Sequence, residues 1–192
     1  MSSRGADTAP AGAAPAVNAD AVNADAVNGE AVAGDAVGAA VAFVLRSTQQ
    51  RPQTEAEVRA KLAARDVEGD VAQAALARAR ALGAVDDAAF ARAWVDDRGA
   101  GRGFGTARLR QELRRRLVPE PLIADALLAI EDRDDLAVAI DLARDRLPSL
   151  PATLQPEAVA RRLQGYLVRR GHHPGLAQRV AIEVSGLDRA WD

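Results

Sequence analysis

The sequence predicts an all-α protein built from tandem three-helix units behind a low-complexity tail, and three observations predict it. A short pattern occurs three times: Val58 to Val67, Leu109 to Val118 and Leu163 to His172. In each copy two aliphatic residues stand four apart and an arginine follows three residues after the second: Val58, Leu62, Arg65; Leu109, Leu113, Arg116; Leu163, Leu167, Arg170. The copies recur at intervals of 51 and 54 residues, which is the mark of stacked supersecondary units rather than one enclosed catalytic core. From residue 39 on, the chain is rich in Ala, Leu and Arg and poor in β-branched alternation, so local propensity favours helix throughout. Finally, prolines, glycines and capping residues cut this part into nine stretches of helical length.

The expected organisation is a disordered acidic tail over residues 1–38, then three-helix repeats over 39–83, 84–131 and 132–192, together forming an elongated, curved body. Residues 16–38 run in fives (Ala-Val-Asn-Ala-Asp and variants), with valine the one sizeable apolar residue in each five. That period fits neither 3.6 nor 2, so no continuous apolar face can form, and the segment reads as tail. It carries Arg4 against Asp7, Asp20, Asp25, Glu30 and Asp35.

Each helix follows from its punctuation. The first spans about Ala39 to Gln50 and stops before Pro52. The second opens on the capping-box pattern Thr54-Glu55-Ala56-Glu57 and runs to Arg65. The third runs from Asp70 to Leu82 and ends at Gly83. In the second unit Asp86 and Asp87 start a helix to Arg98, with Phe90 and Trp94 four apart on its buried face. A loop with four glycines, Gly99 to Gly105, follows; it reads either as a flexible joint or as a backbone-binding loop with Phe104 stacking on a base. Thr106 is expected to cap the next helix, to Arg116, and Pro119 opens another, to Ile130. The third unit comprises helices from Asp134 to Arg146, from Glu157 to Arg170 and from Pro174 to Val184, with a proline-marked loop between the first two.

Composition closes off several chemistries. There is no cysteine, hence no disulfide or thiol chemistry. The two histidines, His172 and His173, have no companion ligands at metal spacing, so no metal and no cofactor are expected; they read as cap or surface residues. Asp86 and Asp87 read as helix-start residues that complement the dipole rather than as a catalytic pair. No residues are assigned a catalytic role, and the chain is expected not to be an enzyme. No stretch approaches the ~18 apolar residues of a membrane helix, and no signal peptide is visible, so a cytoplasmic monomer without membrane contact is expected.

Charge is laid down in blocks. Residues 98–116 hold seven arginines (Arg98, Arg102, Arg108, Arg110, Arg114, Arg115, Arg116) and one acid, Glu112. Residues 117–157 hold nine acids and three arginines. Residues 158–182 hold Arg161, Arg162, Arg169, Arg170 and Arg179 and no acid. Such blocks set up local fields that a formal net charge of −2 conceals. Two readings stand: the basic blocks meet a polyanion, which arginine's planar fork suits, or they are solvated helix faces neutralised by the acidic stretch between them. Arg65, outside both blocks, is read as surface.

Several of these passages together resemble the RecX family of RecA regulators. Leu45-Arg46, Arg51-Pro52 and Thr54-Glu55-Ala56-Glu57-Val58 resemble its opening. Leu82 to Val95, with the aspartate pair followed by Phe90-Ala91-Arg92, resembles its most specific signature. Leu109-Arg110-Gln111-Glu112-Leu113 continues it, and Tyr166 to Gly171 resembles the closing repeat. The resemblance covers about residues 39–185. It implies tandem three-helix repeats and a protein that binds RecA and its filament on single-stranded DNA, restraining ATP hydrolysis, recombinase and co-protease action in DNA repair and the SOS response. On the polyanion reading of the two basic blocks, Arg98, Arg102, Arg108, Arg110, Arg114, Arg115, Arg116, Arg161, Arg162, Arg169 and Arg170 are the candidates for contact with the filament or with single- or double-stranded DNA directly. The same arginines would also serve a helical nucleic-acid-binding module acting without RecA. One departure matters for structure: the family's glycine after each basic helix is kept at Gly171, but Asp66 and Leu117 stand at the other two places. Leucine takes a left-handed turn poorly, so the turn at Leu117 is expected to close differently.

Overall fold

A computed structural model describes the backbone of residues 19–187 and the side chains of residues 34–187; residues 1–18 of the expected tail lie outside the described residues. Nine α-helices and no strand are found among them: α1 (Ala19–Gln50), α2 (Glu55–Ala63), α3 (Gly69–Ala81), α4 (Asp87–Val95), α5 (Thr106–Arg115), α6 (Glu120–Leu127), α7 (Asp135–Arg146), α8 (Pro156–Arg169) and α9 (Pro174–Ser185). The chain divides between Ala36 and Val37 into two compact units, and every contact described below lies within the second.

The described α1 takes up at Ala19, well before the expected Ala39. A five-residue period denies the segment an apolar stripe, but alanine's propensity needs no stripe to coil a backbone. Two further boundaries differ from expectation. α4 stops at Val95 and passes into a π-helical turn over Asp96–Ala100. Thr106 is the first helical residue of α5 rather than its cap; Gly105 holds that place without a side-chain bond, for a reason given by its neighbours below.

Each helix triplet encloses its own core. Val41 and Val44 of α1 meet Val58, Leu62 and Leu76; Phe90 and Val95 of α4 meet Leu109, Leu113 and Ile123; Ala139 and Ala143 of α7 meet Leu163, Leu167 and Val180. The aliphatic pair of the repeated pattern is therefore the centre of all three cores, with none of its six members more than 1% exposed. Burying each such side chain contributes roughly 1.5–3 kcal/mol. In the third core, α7 offers only alanines at full burial, which lets α8 and α9 approach closely.

The second helix of every triplet ends in the same turn. Val67 N donates to Leu62 O (3.1 Å), Val118 N to Leu113 O (3.2 Å) and His172 N to Leu167 O (3.2 Å). The residue before each donor sits at positive φ: Asp66 at 59°, Leu117 at 58° and Gly171 at 91°. This is the Schellman arrangement, in which a left-handed residue lets the chain satisfy the orphan helix carbonyls. The turn at Leu117 thus closes like the other two, against expectation: the bonds and the Val118–Leu113 contact in the core outweigh the ~1–2 kcal/mol that a left-handed L-residue costs. Leu117 is 71% exposed and gives little back through burial. Leu117→Gly should accordingly stabilise the chain by about 0.5–1 kcal/mol, the relief of strain less the entropy glycine adds to the unfolded chain. A higher urea midpoint at unchanged slope is the expected reading.

Candidate nucleic-acid interface

The helix-ending arginines build joints between units. At the first joint the carbonyl of Arg116, at the end of α5, accepts a hydrogen bond from Thr54 Oγ1 (2.9 Å), while Thr54 caps α2 by accepting from Glu57 N (3.2 Å). The Arg116 guanidinium donates to Glu57 Oε1 (2.6 Å) and lies over the rings of Trp94 (4.3 Å) and Phe90 (5.6 Å). Phe90 and Trp94 stack at 5.5 Å, the helical spacing read in the sequence. Asp86 caps α4 through Ala89 N, whereas Asp87 reaches across the joint to accept from Glu55 N (2.8 Å). Burial holds the Asp87 carboxyl above its ordinary range, against the opposing pull of that bond.

At the second joint the carbonyl of Arg170, at the end of α8, accepts from Gly105 N (2.9 Å). The Arg170 guanidinium donates to Arg102 O (2.6 Å) and lies over Phe104 (5.3 Å) and Tyr166 (5.0 Å). Gly105 and Gly171 touch backbone to backbone: a Cβ at 105 would run into the Gly171 carbonyl, and one at 171 into Arg108. No capping side chain fits at 105, which is why the cap of α5 is a glycine and makes no side-chain bond.

The glycine-rich loop is the socket of this second joint. Its carbonyls are taken one by one: Gly99 O and Phe104 O by Arg133 (2.6 and 3.1 Å), Arg102 O by Arg170, and Gly103 O by His172 Nε2 (3.0 Å). Phe104 lies under the Arg108 guanidinium (3.9 Å) and against the second core. Of the two readings of the loop, the structure shows a joint, and a pinned one. His173 caps α9 through Gly175 N, but His172 is buried, 3% exposed, not a surface residue. Its Nε2 must carry the proton it gives to Gly103 O, and its buried Nδ1 has no partner among the described residues. Burial holds its pKa below the ordinary imidazole value, opposed by the Gly103 bond and Asp135 and reinforced by Arg133 and Arg170. The unfolded chain therefore binds the proton first. Stability is full above about pH 6.5, falls as pH drops below it, by at most about 1.4 kcal/mol per unit, and levels off beneath the folded-state pKa. His172→Gln should remove this contribution to the pH dependence of urea unfolding.

The candidate arginines fall into two groups. Most are engaged within the fold. Arg98 lies on the Trp94 ring (3.4 Å) and pairs with Glu112 (3.3 Å), which also takes Arg108 (2.9 Å) and the Trp94 indole N–H (3.1 Å). Arg102 pairs with Asp97 (3.0 Å). Arg114 donates to Glu120 (2.7 Å); this bond holds the Glu120 carboxyl below its ordinary range and pushes the Arg114 guanidinium further up. Arg110 Nε lies 3.2 Å from Glu120, an ion pair whose angle is too poor for a hydrogen bond. Arg116 and Arg170 are the joint residues. The second group is Arg115 on α5 and Arg161, Arg162 and Arg169 on α8, all exposed and without an ion pair among the described residues. Arg162 and Arg169 are seven apart and share a face of α8; Arg108 and Arg115 stand likewise on α5. The two faces meet at the second joint, where Arg108 Nη1 donates to the carbonyl of Arg169 (3.2 Å). Sequence reasoning did not single out Arg133, Gly105 or the joint role of Thr54, whose partners across the joints lie 29 positions away or more. Among the described residues no group of acids and histidines could hold a metal ion, and no helix is long and apolar enough to cross a membrane.

Residues 86–127 match the sequence profile of the second three-helix domain of RecX. The regulatory protein RecX of Thermobifida fusca is 39% identical over 152 residues, covering 78% of this chain and 82% of that one. That of Streptomyces coelicolor is 34% identical over 152 residues (78% and 80%), and that of Mycobacterium avium 35% over 150 (78% and 87%). The crystal structure of RecX from Lactobacillus salivarius superposes with a TM-score of 0.67 over 79% of this chain and 97% of that chain at 16% identity, a likeness of fold. With the signature from Asp86 onward, the repeated helix-ending arginines and relatives of this identity over most of their length, the chain belongs to the RecX family of regulatory proteins.

Proposed function

We propose that the chain is a non-enzymatic regulator that binds RecA and its filament on single-stranded DNA and restrains the filament's ATPase, recombinase and co-protease activities in the cytoplasm. The observation that carries this reading is family membership over most of the chain. The joints add a physical rationale: three helix triplets, α1–α3, α4–α6 and α7–α9, each with its own core and joined in succession, can present successive helix faces to a repetitive partner. Of the candidate arginines, those that are exposed and unpaired among the described residues are Arg115, Arg161, Arg162 and Arg169, which need no carboxylate to be displaced before they meet a phosphate.

Two measurements test the reading. RecA's DNA-dependent ATP hydrolysis should fall at substoichiometric protein; binding to DNA without effect on RecA would favour a nucleic-acid-binding module instead. In a salt titration on single-stranded DNA or the filament, Arg162→Ala with Arg169→Ala should lower the slope of log affinity against log salt. The expected drop is roughly 0.7 for each phosphate no longer neutralised, with folding stability unchanged. An unchanged slope would remove α8 from the interface.

A further inference from the structure

The joint chemistry occurs twice, and the repeat contains a third copy of its outward half. In both joints the carbonyl of the helix-ending arginine accepts from the cap residue of the preceding unit's second helix, and its guanidinium is laid on an aromatic ring. The equivalent residue in the first unit is Arg65. It closes α2 through the same Schellman turn, with Asp66 at φ 59° and Val67 N bonded to Leu62 O. Its guanidinium lies over the Phe43 ring at 3.9 Å, the pose of Arg116 over Trp94. Yet Arg65 is exposed, pairs with no carboxylate among the described residues, and its carbonyl accepts no hydrogen bond among them. A groove of about 640 Å³ runs along α2 against α3; its lining holds the buried Leu76 and the acids Glu55, Glu68 and Asp70 beside Arg59 and Arg80, and Arg65 stands outside it.

We infer that the carboxyl end of α2, with Arg65, is a docking socket for the amino end of a helix from another protein, one with a hydroxyl cap and an acid in its first turn. The chemistry is read from the first joint: Thr54 supplies the hydroxyl to the Arg116 carbonyl and Glu57, three residues on, the carboxylate to its guanidinium. The helix's negative end with its orphan carbonyls favours such donors, while Arg65 supplies the complementary charge for the acid. The chain's own remaining amino end, that of α8, does not fit. Its cap is Gln155, and Pro156 brings no N–H. α8 also begins seven residues before its Leu163, whereas α2 and α5 begin three before Val58 and Leu109, so an extra helical turn would have to enter the socket. The inference is independent of what the α8 arginines bind.

The probe is a peptide of this chain's residues 52–66, the natural plug of the first joint, held helical by a staple across positions 59 and 63, both exposed in the protein. Added to ¹⁵N-labelled full-length protein, it should shift the Arg65, Asp66 and Val67 amides, saturating with a dissociation constant on the order of a millimolar. Arg65→Glu, confirmed folded by circular dichroism, should weaken binding at least about tenfold, and peptides carrying Thr54→Ala or Glu57→Gln should also bind more weakly. Arg65→Lys, which keeps the charge without the fork, should fall between. No shift at Arg65 to Val67, shifts equally present in Arg65→Glu, or shifts centred on Trp94 and Arg116 would overturn the inference. So would concentration-dependent dimerisation abolished by Arg65→Glu in sedimentation, which would place a second copy there.

Discussion

Replacing Gly105 with alanine should cost the folded chain about 2–4 kcal/mol, the sum of an overpacking cost and one broken helix-end hydrogen bond. The added Cβ meets the Gly171 carbonyl and the His172 nitrogen, which are backbone atoms and cannot swing aside as a side-chain tip can. The ends of α5 and α8 must separate, and the Gly105 N–H loses Arg170 O. Because the joint is also held through Arg170, His172 and Arg133, the loss should spread to the loop carbonyls they occupy. Urea unfolding should move to a lower midpoint, and hydrogen exchange should show the Gly105 and His172 amides deprotected while the first core keeps its protection. Gly165→Ala is the control. There the Cβ meets only the end of the Arg169 side chain within α8, so the same change should stabilise by about 0.5–1 kcal/mol. If the two substitutions gave similar effects, backbone approach at 105 would not be what makes glycine necessary there.

What the sequence disclosed and what it hid divide by distance along the chain. The caps Thr54, Asp86 and Asp134 and the core pairs around Leu62, Leu113 and Leu167 are set by residues within a turn or two, and they were legible. The Schellman turns were legible at Gly171 but not at Leu117, because side-chain preference there is overridden by bonds and packing that only the folded helix supplies. The arginines were counted as charge blocks. Whether a guanidinium is free depends on carboxylates, rings and carbonyls far away in sequence: Glu57 for Arg116, 59 residues apart, and Arg102 O for Arg170, 68 apart. The recurrence at 51 and 54 residues did carry a hint, since an arginine kept at one position of a repeat, next to the aliphatic pair, is placed for the repeat's own contacts as well as for a ligand.

That distinction is sharpest along Arg114, Arg115 and Arg116, three neighbours with three different surroundings. Arg116→Ala should destabilise by about 2 kcal/mol, since it removes a charge-assisted bond to Glu57 and a guanidinium from the Trp94 ring; Arg51, 3.0 Å from Glu57, keeps that acid partly paired and limits the loss. Arg114→Ala gives up an exposed, solvent-screened pair with Glu120 and should change stability little. Arg115→Ala should lie within about 0.5 kcal/mol of the parent. In a Trp191→Phe background, Trp94 emission should shift in the Arg116 variant and not in the other two. A combined replacement of all three would therefore mix a loosened joint with the removal of a phosphate-binding charge, and weaker filament binding would not tell them apart. Arg116→Lys separates them. A lysine preserves the surface charge that a polyanion senses, but not the flat fork that lies on Trp94 while bonding Glu57. If Arg116 acts through the joint, lysine should recover less than half of the missing stability, and binding should follow stability across the Arg116 variants. If Arg116 acts on phosphate directly, lysine should restore binding whatever the stability does.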